Sequence, residues 1–387
     1  MPLLFTPYQM RELTIRNRIV VAPMLQMAAK EGYATAWHHV HVGRFAIGGV
    51  GMIMMESTKV EKRGRGTPGD LGLWDDCFVP ELAKIVDFSH QHGVAIGIQL
   101  GHTGRKRFLN NDMPDDPAFN DVVAPSAIAH SPNRPTPRAL ELSEIPGVIE
   151  AFAAAARRAN EAGFDTVELH GAHGYLLHSF LSPHANQRTD KYGGSDANRM
   201  RLMLEATEAV RAVLPSEKPL FMRLSCEDQA GVGLEQIIPL CRELKALGVD
   251  VIDCSSGGMR DDMRDIPGVE PDSYGYQVRY SEPIRKEAGI ATMAVGHIIH
   301  PLQAEQILQN GQADLIALGR ELLYNPNWAI DAAQKLGVDP GFELVPENIR
   351  GPMASRKRRL EGVPSTYNVD WAKEEAAHKP EKVATGG

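Results

Sequence analysis

From one end of the chain nearly to the other, short runs of β-branched and apolar residues alternate with longer amphipathic stretches, which confines the chain to folds built on a parallel sheet. The apolar runs at 18–22, 49–56, 93–100, 164–171, 219–225, 248–256, 290–296 and 313–319 read as strands. Each is almost continuously apolar, as a parallel strand covered on both faces must be. The stretches at 37–48, 80–93, 145–163, 197–214, 234–248, 276–289, 300–311 and 325–337 read as helices, many of them ending on a glycine directly before the next strand. Eight such units are the number that closes a parallel barrel with its helices outside, so the expected architecture is an α/β (β/α)₈ (TIM) barrel. The competing arrangement, an open doubly wound sheet, calls for G-x-G-x-x-G after the first strand, and the sequence has none there.

At 387 residues the chain is long enough for one large barrel or two ordinary domains, and the unbroken alternation favours the barrel. We expect the barrel to occupy 1–340, followed by an extension at 341–371 and a disordered polar tail at 372–387. A net charge of −8 gives no general attraction to nucleic acid or anionic membranes, so a small-molecule partner is favoured. Cys77, Cys226, Cys241 and Cys254 have no CxxC or finger spacing and read as reduced thiols. With neither a secretory signal nor an apolar run of ~18 residues, the expected address is the cytoplasm. The cluster Arg356-Lys357-Arg358-Arg359 reads as a solvated or interface-facing charge run before a phosphate contact.

In a (β/α)₈ barrel the chemistry lies where a strand's apolar run stops and polar groups begin. The fourth strand ends Val167-Glu168-Leu169-His170-Gly171-Ala172-His173-Gly174-Tyr175. Imidazoles at His170 and His173 can direct N–H groups at one oxygen, and the phenol of Tyr175 can supply a proton. A metal-binding H-x-x-H pair and purely structural histidines stay open as alternatives, although no third metal ligand is near in sequence. Gln99, at the end of the third strand, can donate and accept at a ring edge of mixed polarity. Arg223, inside the fifth run, needs a partner, either a delocalised ligand anion or a carboxylate on a neighbouring strand. The seventh and eighth strands end at Gly296 and at Gly319-Arg320, positions that commonly cradle a phosphate. The insertions at 105–145 and 257–275 follow strand C-termini and are expected to cover a site.

Together these residues resemble the Old Yellow Enzyme family, in particular its bacterial xenobiotic-reductase and thermophilic-like branch. The resemblance runs from about Leu3 to Leu336. It is carried by Leu13 to Arg18 leading to Ala22-Pro23-Met24, by Trp37-His38-His39-Val40-His41, by Gln99 to Lys106, and by His170 to Tyr175. Ser182-Pro183, Gly193-Gly194 with Asn198-Arg199, and Ala317 to Glu321 complete it. The resemblance implies FMN as cofactor and NADPH or NADH as hydride donor. FMN would be held by Ala22, Pro23, Met24, Leu25, Ser57, Gln99 and Arg223, with its phosphate at Gly296, Gly319 and Arg320. His170 and His173 would hold the activating oxygen of an electron-poor alkene. Tyr175 would protonate its α-carbon after flavin N5 delivers hydride to the β-carbon. The family pattern also implies a homo-oligomer, dimer or tetramer, and no metal.

Two positions depart from that pattern: Leu25 stands where the branch carries a flavin-contacting cysteine, and Met27 where it carries a substrate-binding tyrosine. The apolar rim of Met24, Leu25 and Met27 suggests a bulkier or more apolar substrate than a small cyclic enone. The C-terminal arginine that reaches a neighbouring site in this branch has no assigned match among Arg350, Arg356, Arg358 and Arg359. Alternative readings are a flavin dehydrogenase or dienoyl-thioester reductase in a catabolic pathway, or a barrel that has lost flavin chemistry as a binding protein or lyase.

Overall fold

The structure, a computed structural model, describes residues 1–108, 116–260 and 273–361; the anticipated tail at 372–387, residues 109–115 of the first insertion and 261–272 of the second fall outside them. Eight parallel strands, β1 (Ile19–Val21), β2 (Met52–Lys59), β3 (Ala95–Gly101), β4 (Thr166–Gly171), β5 (Leu220–Ser225), β6 (Val251–Ser255), β7 (Ala291–Ala294) and β8 (Leu315–Leu318), close into a barrel in chain order. The helices between and after them are α1 (Ala36–Ala46), α2 (Val79–Gln91), α3 (Ile145–Glu161), α4 (Asp196–Val213), α5 (Leu234–Ala246), α6 (Val278–Glu287), α7 (Pro301–Gln309) and α8 (Trp328–Lys335). Each anticipated strand and helix is present. α3 and α5 end at Gly163 and Gly248, whose φ values of 91° and 93° are left-handed and suited to glycine.

Burial on both faces, read from the apolar runs, produces two cores. One face of each strand packs against the helices, through residues such as Ile53, Ile96, Leu169 and Ile252. The other face fills the barrel with Val20, Met52, Met54, Phe221, Val251, Met293 and Leu315. Met10 and Ile15 join that inner cluster from a hairpin of Tyr8–Met10 and Leu13–Ile15, which plugs the N-terminal end. The plug leaves the C-terminal end as the open face.

One boundary differs in a way that matters. The second apolar run suggested a strand stopping at Glu56, but β2 continues to Lys59, with a register shift between Met55 and Thr58. Glu56, Ser57, Thr58 and Lys59 are polar yet all buried. Ser57 and Thr58 are satisfied within the segment, whereas Glu56 and Lys59 depend on partners from other segments, including Asp70 3.6 Å from Lys59, that no local pattern reveals. Beyond α8, Phe342 and Val345 pack on Ile330, and a helix at Glu347–Arg359 with no buried residue carries the basic cluster. Among the described residues no helix is long and apolar enough to cross a membrane.

Candidate active site

The turn after β4 sets the chemistry. His173 and Gly174 have φ values of 59° and 75°, a left-handed pair that reverses the chain before a short helix at Leu176–Leu181. The His173 N–H donates to Ser225 Oγ (2.9 Å), and the Gly174 N–H to His178 Nδ1 (2.9 Å). A Cβ on Gly174 would lie 2.2 Å from the carbonyl oxygen of Gly258. Gly174→Ala therefore meets both a left-handed φ and an immovable backbone atom; we expect a loss of about 1–2 kcal/mol from the φ alone, read by chemical denaturation. A stability equal to wild type would mean that the turn is not held as described.

The turn gathers three rings. The His170 and His173 rings lie 5.1 Å apart, and Tyr175 sits edge-on to His170 at 4.8 Å. The Ala172 N–H points at His170 Nδ1 (3.3 Å), which leaves the proton of a neutral ring on Nε2. That Nε2 is 3.4 Å from His173 Nδ1, and His173 Nε2 is 2.7 Å from Ser255 Oγ. Burial, reinforced by nearby cations including Arg223 and Lys106, holds both imidazoles well below their ordinary pKa, so both are neutral. Burial likewise raises the Tyr175 phenol to about 12 and keeps it protonated. The ammonium groups of Lys59 and Lys106 lie 5.6 and 5.4 Å from the Tyr175 ring centre. Among the described residues no group of three His, Cys, Asp or Glu side chains could hold a metal ion.

Beside this turn opens a cavity of about 510 Å³. Ala22, Pro23, Met24, His173, Arg223, Gly296, Gly319 and Arg320 all line it, so eight residues singled out from the sequence meet on one surface. Leu25 and Met27 belong to the same loop, but Met27 is 48% exposed and points away from the interior. Ser57 and Gln99 are buried in the barrel mouth, where Ser57 Oγ accepts from Lys59 and Gln99 donates to Glu168 (2.7 Å). Of the two partners open to Arg223, the carboxylate is present as Asp253, 3.2 Å away, while the guanidinium still faces the cavity.

Sequence reasoning missed Ser255, Gln277 and His297, which also line the cavity. Ser255 ends β6 and would have emerged from the strand-end rule applied to every strand. His297 follows Gly296 and lies 2.7 Å from Arg320, a pairing between separate loops that has no local signal.

The two insertions do meet over this face. Arg105, fully buried, donates to Ile128 and Ala129 carbonyls in the first and to the Met259 carbonyl (2.9 Å) at the start of the second. Lys106 donates to His173 O (2.7 Å) and Gly258 O (3.0 Å), tying that cover to the three-ring turn.

A closed parallel barrel with glycines after its last two strands, a buried arginine and a His-His-Tyr turn at one mouth is the arrangement that the resemblance to a flavin oxidoreductase implied. The chain belongs to the NADH:flavin oxidoreductase / NADH oxidase family, whose model matches residues 3–338. It is 44% identical over 339 residues to an NADPH dehydrogenase of Geobacillus thermodenitrificans (strain NG80-2), covering 87% of this chain and 95% of that one. It is 45% identical over 338 residues to an NADPH dehydrogenase of Listeria monocytogenes serovar 1/2a, covering 86% and 95%. The structure of morphinone reductase in complex with tetrahydroNAD superposes with a TM-score of 0.73 at 29% identity, covering 87% of this chain and 92% of that one. The resemblance to the Old Yellow Enzyme family therefore holds, and the protein is an NAD(P)H-dependent oxidoreductase that uses FMN.

The cavity fits that cofactor. Gln277 Oε1 is buried beside it with no hydrogen-bond partner. Gly296, with φ 111° and a would-be Cβ 3.1 Å from the Tyr276 ring, leaves its backbone open to the cavity, a geometry in which a phosphate would fit.

Proposed function

We propose that the protein reduces an activated carbon–carbon double bond, with His170 and His173 gripping the activating oxygen and Tyr175 protonating the α-carbon. The observation that carries this reading is the convergence of two neutral imidazoles and a protonated phenol in one turn, of which His173 lines the cavity. Bound FMN would supply the hydride, received from NAD(P)H and passed to the β-carbon. Ala22 to Leu25, Ser57, Gln99 and Arg223 hold its ring system in this reading, and Gly296, Gly319 and Arg320 its phosphate.

A neutral imidazole has one N–H to give. His170 offers Nε2–H because Nδ1 is taken by the Ala172 N–H. For His173 to offer Nδ1–H towards the same oxygen, Nε2 must accept, and Ser255 Oγ at 2.7 Å is placed to donate to it. The two donors then stabilise negative charge growing on the activating oxygen, in a water-poor site where such bonds are strongest. Tyr175 gives its proton to the carbanion and is reprotonated from water. A phenol held at about 12 gives a proton only to a base as strong as that carbanion, so it does not acidify the site beforehand. Met24 and Leu25 make the rim apolar, which favours a bulky or apolar alkene.

The experiment is a visible absorption spectrum of the purified protein, followed by anaerobic titration with NADPH and then an enone. Flavin bands that bleach with nicotinamide and return with the enone are expected. A flavin that bleaches and is not reoxidised by enones would point to a dehydrogenase or thioester-type reductase, and a colourless protein that takes up no FMN would overturn the reading.

A further inference from the structure

The barrel interior is apolar up to the level of the cavity and then changes character. Gln99 on β3, Glu168 on β4, Arg223 on β5 and Asp253 on β6 come from four consecutive strands, and Gln99 pairs with Glu168, and Arg223 with Asp253, in register. Glu168 and Asp253 are both 0% exposed. The layer therefore holds two carboxyl groups sealed from water and one guanidinium that reaches the cavity above them.

Hydrogen-bond accounting weighs against both carboxyls being charged at once. Glu168 Oε1 accepts from Gln99, but Glu168 Oε2 and both Asp253 oxygens have no donor within bonding geometry. Arg223 contacts Asp253 at 3.2 Å; among the described residues Glu168 forms no ion pair, and Arg223 acts on it only at longer range. Two carboxylates here would leave an uncompensated buried charge, at a desolvation cost of several kcal/mol, and one proton removes that excess charge.

We propose that Glu168 and Asp253 share one proton, held on Glu168 at rest, and that this pair is a positioning and proton-buffering element for the flavin above it. The inference rests on the flavin reading of the cavity. Its consequences follow from charge. Neutral Glu168 leaves Arg223 shared only between Asp253 and the pyrimidine edge of the cofactor, where negative charge collects on reduction. By holding the Nε2 of Gln99, Glu168 turns the amide oxygen of that residue away from itself. When the added negative charge appears, a proton on Glu168 is held more tightly, so at a pH where Glu168 is ionised in the oxidised protein, reduction draws a proton back onto it. The pKa directions agree: burial first, then the Asp253 charge, raises Glu168 from 4.5 to about 8, and burial raises Asp253. The groups facing the Glu168 carboxyl are Asp253, Arg223 and Gln99.

The test is the midpoint potential of the FMN-loaded protein as a function of pH, for wild type and for Glu168→Gln, the shape mimic of the neutral acid. In the wild type the slope is expected to steepen above about pH 8, from one proton per two electrons to two. Glu168→Gln should match wild type below neutral pH and keep the one-proton slope throughout. A steepening that survives in Glu168→Gln, or a displacement of its potential at every pH, overturns the proposal. A second reading needs no variant and no flavin: difference infrared spectra of the wild-type protein should show a protonated-carboxyl band at neutral pH that titrates away through about pH 8. Its absence also overturns the proposal. A protein that shows this band but binds no FMN keeps the shared proton and loses the flavin reading instead.

Discussion

Replacing Tyr175 by phenylalanine should slow the oxidative half-reaction with an enone by roughly 10²–10⁴-fold, the usual contribution of a positioned general acid. Reduction by nicotinamide should change little, because no proton from this residue is needed in that half. Tyr175 is set edge-on to His170 at 4.8 Å by the turn containing Gly174, and phenylalanine keeps the ring while removing only the hydroxyl. Single-turnover stopped-flow measurement of the two half-reactions separates the effects. Equal slowing of both would remove Tyr175 from the proton-donor role. With the phenol held at about 12, the wild-type oxidative step should not decline as pH is raised from neutral to mildly alkaline.

Alanine at both His170 and His173 is expected to have a comparable effect through a different route. A preorganised donor to a developing oxyanion contributes about 10²–10³-fold, and each imidazole supplies one. The double variant should lose enone turnover and bind phenolic ligands, which mimic the enolate oxygen, far more weakly. Ligand titration followed by the flavin spectrum reads the second effect independently of turnover. Phenol binding equal to wild type would exclude the pair as the anchor. Ser255→Ala is a milder probe of the same geometry: with Ser255 Oγ gone from its place 2.7 Å from Nε2, His173 loses the group that selects its tautomer. Its loss in phenol affinity should fall short of the double variant's.

The barrel was legible because its signal is local. A strand buried on both faces must be apolar along its whole length, and a glycine must stand where a helix stops in a left-handed conformation, as at Gly163 and Gly248. The turn from His170 to Tyr175 was legible for the same reason: it is one continuous segment at a strand end. So were the glycines after β7 and β8. β2 shows where that reasoning stops. Its last residues, Ser57 to Lys59, look like the beginning of a loop, yet they form buried strand in which Thr58 bonds to the Glu56 carbonyl, Lys59 to Ser57, and Asp70 from another segment balances the Lys59 charge.

Sequence alone thus determined the eight-fold architecture and the strand-end residues, since hydrophobic periodicity and strand termini are written in consecutive residues. Only the tertiary structure decided which polar groups confront one another: Arg223 with Asp253, Glu168 with Gln99, His173 with Ser255, and His297 with Arg320. Those pairings cross between strands and loops far apart in the chain. Desolvation and charge then set the protonation states, and both depend on which neighbours closure of the barrel provides.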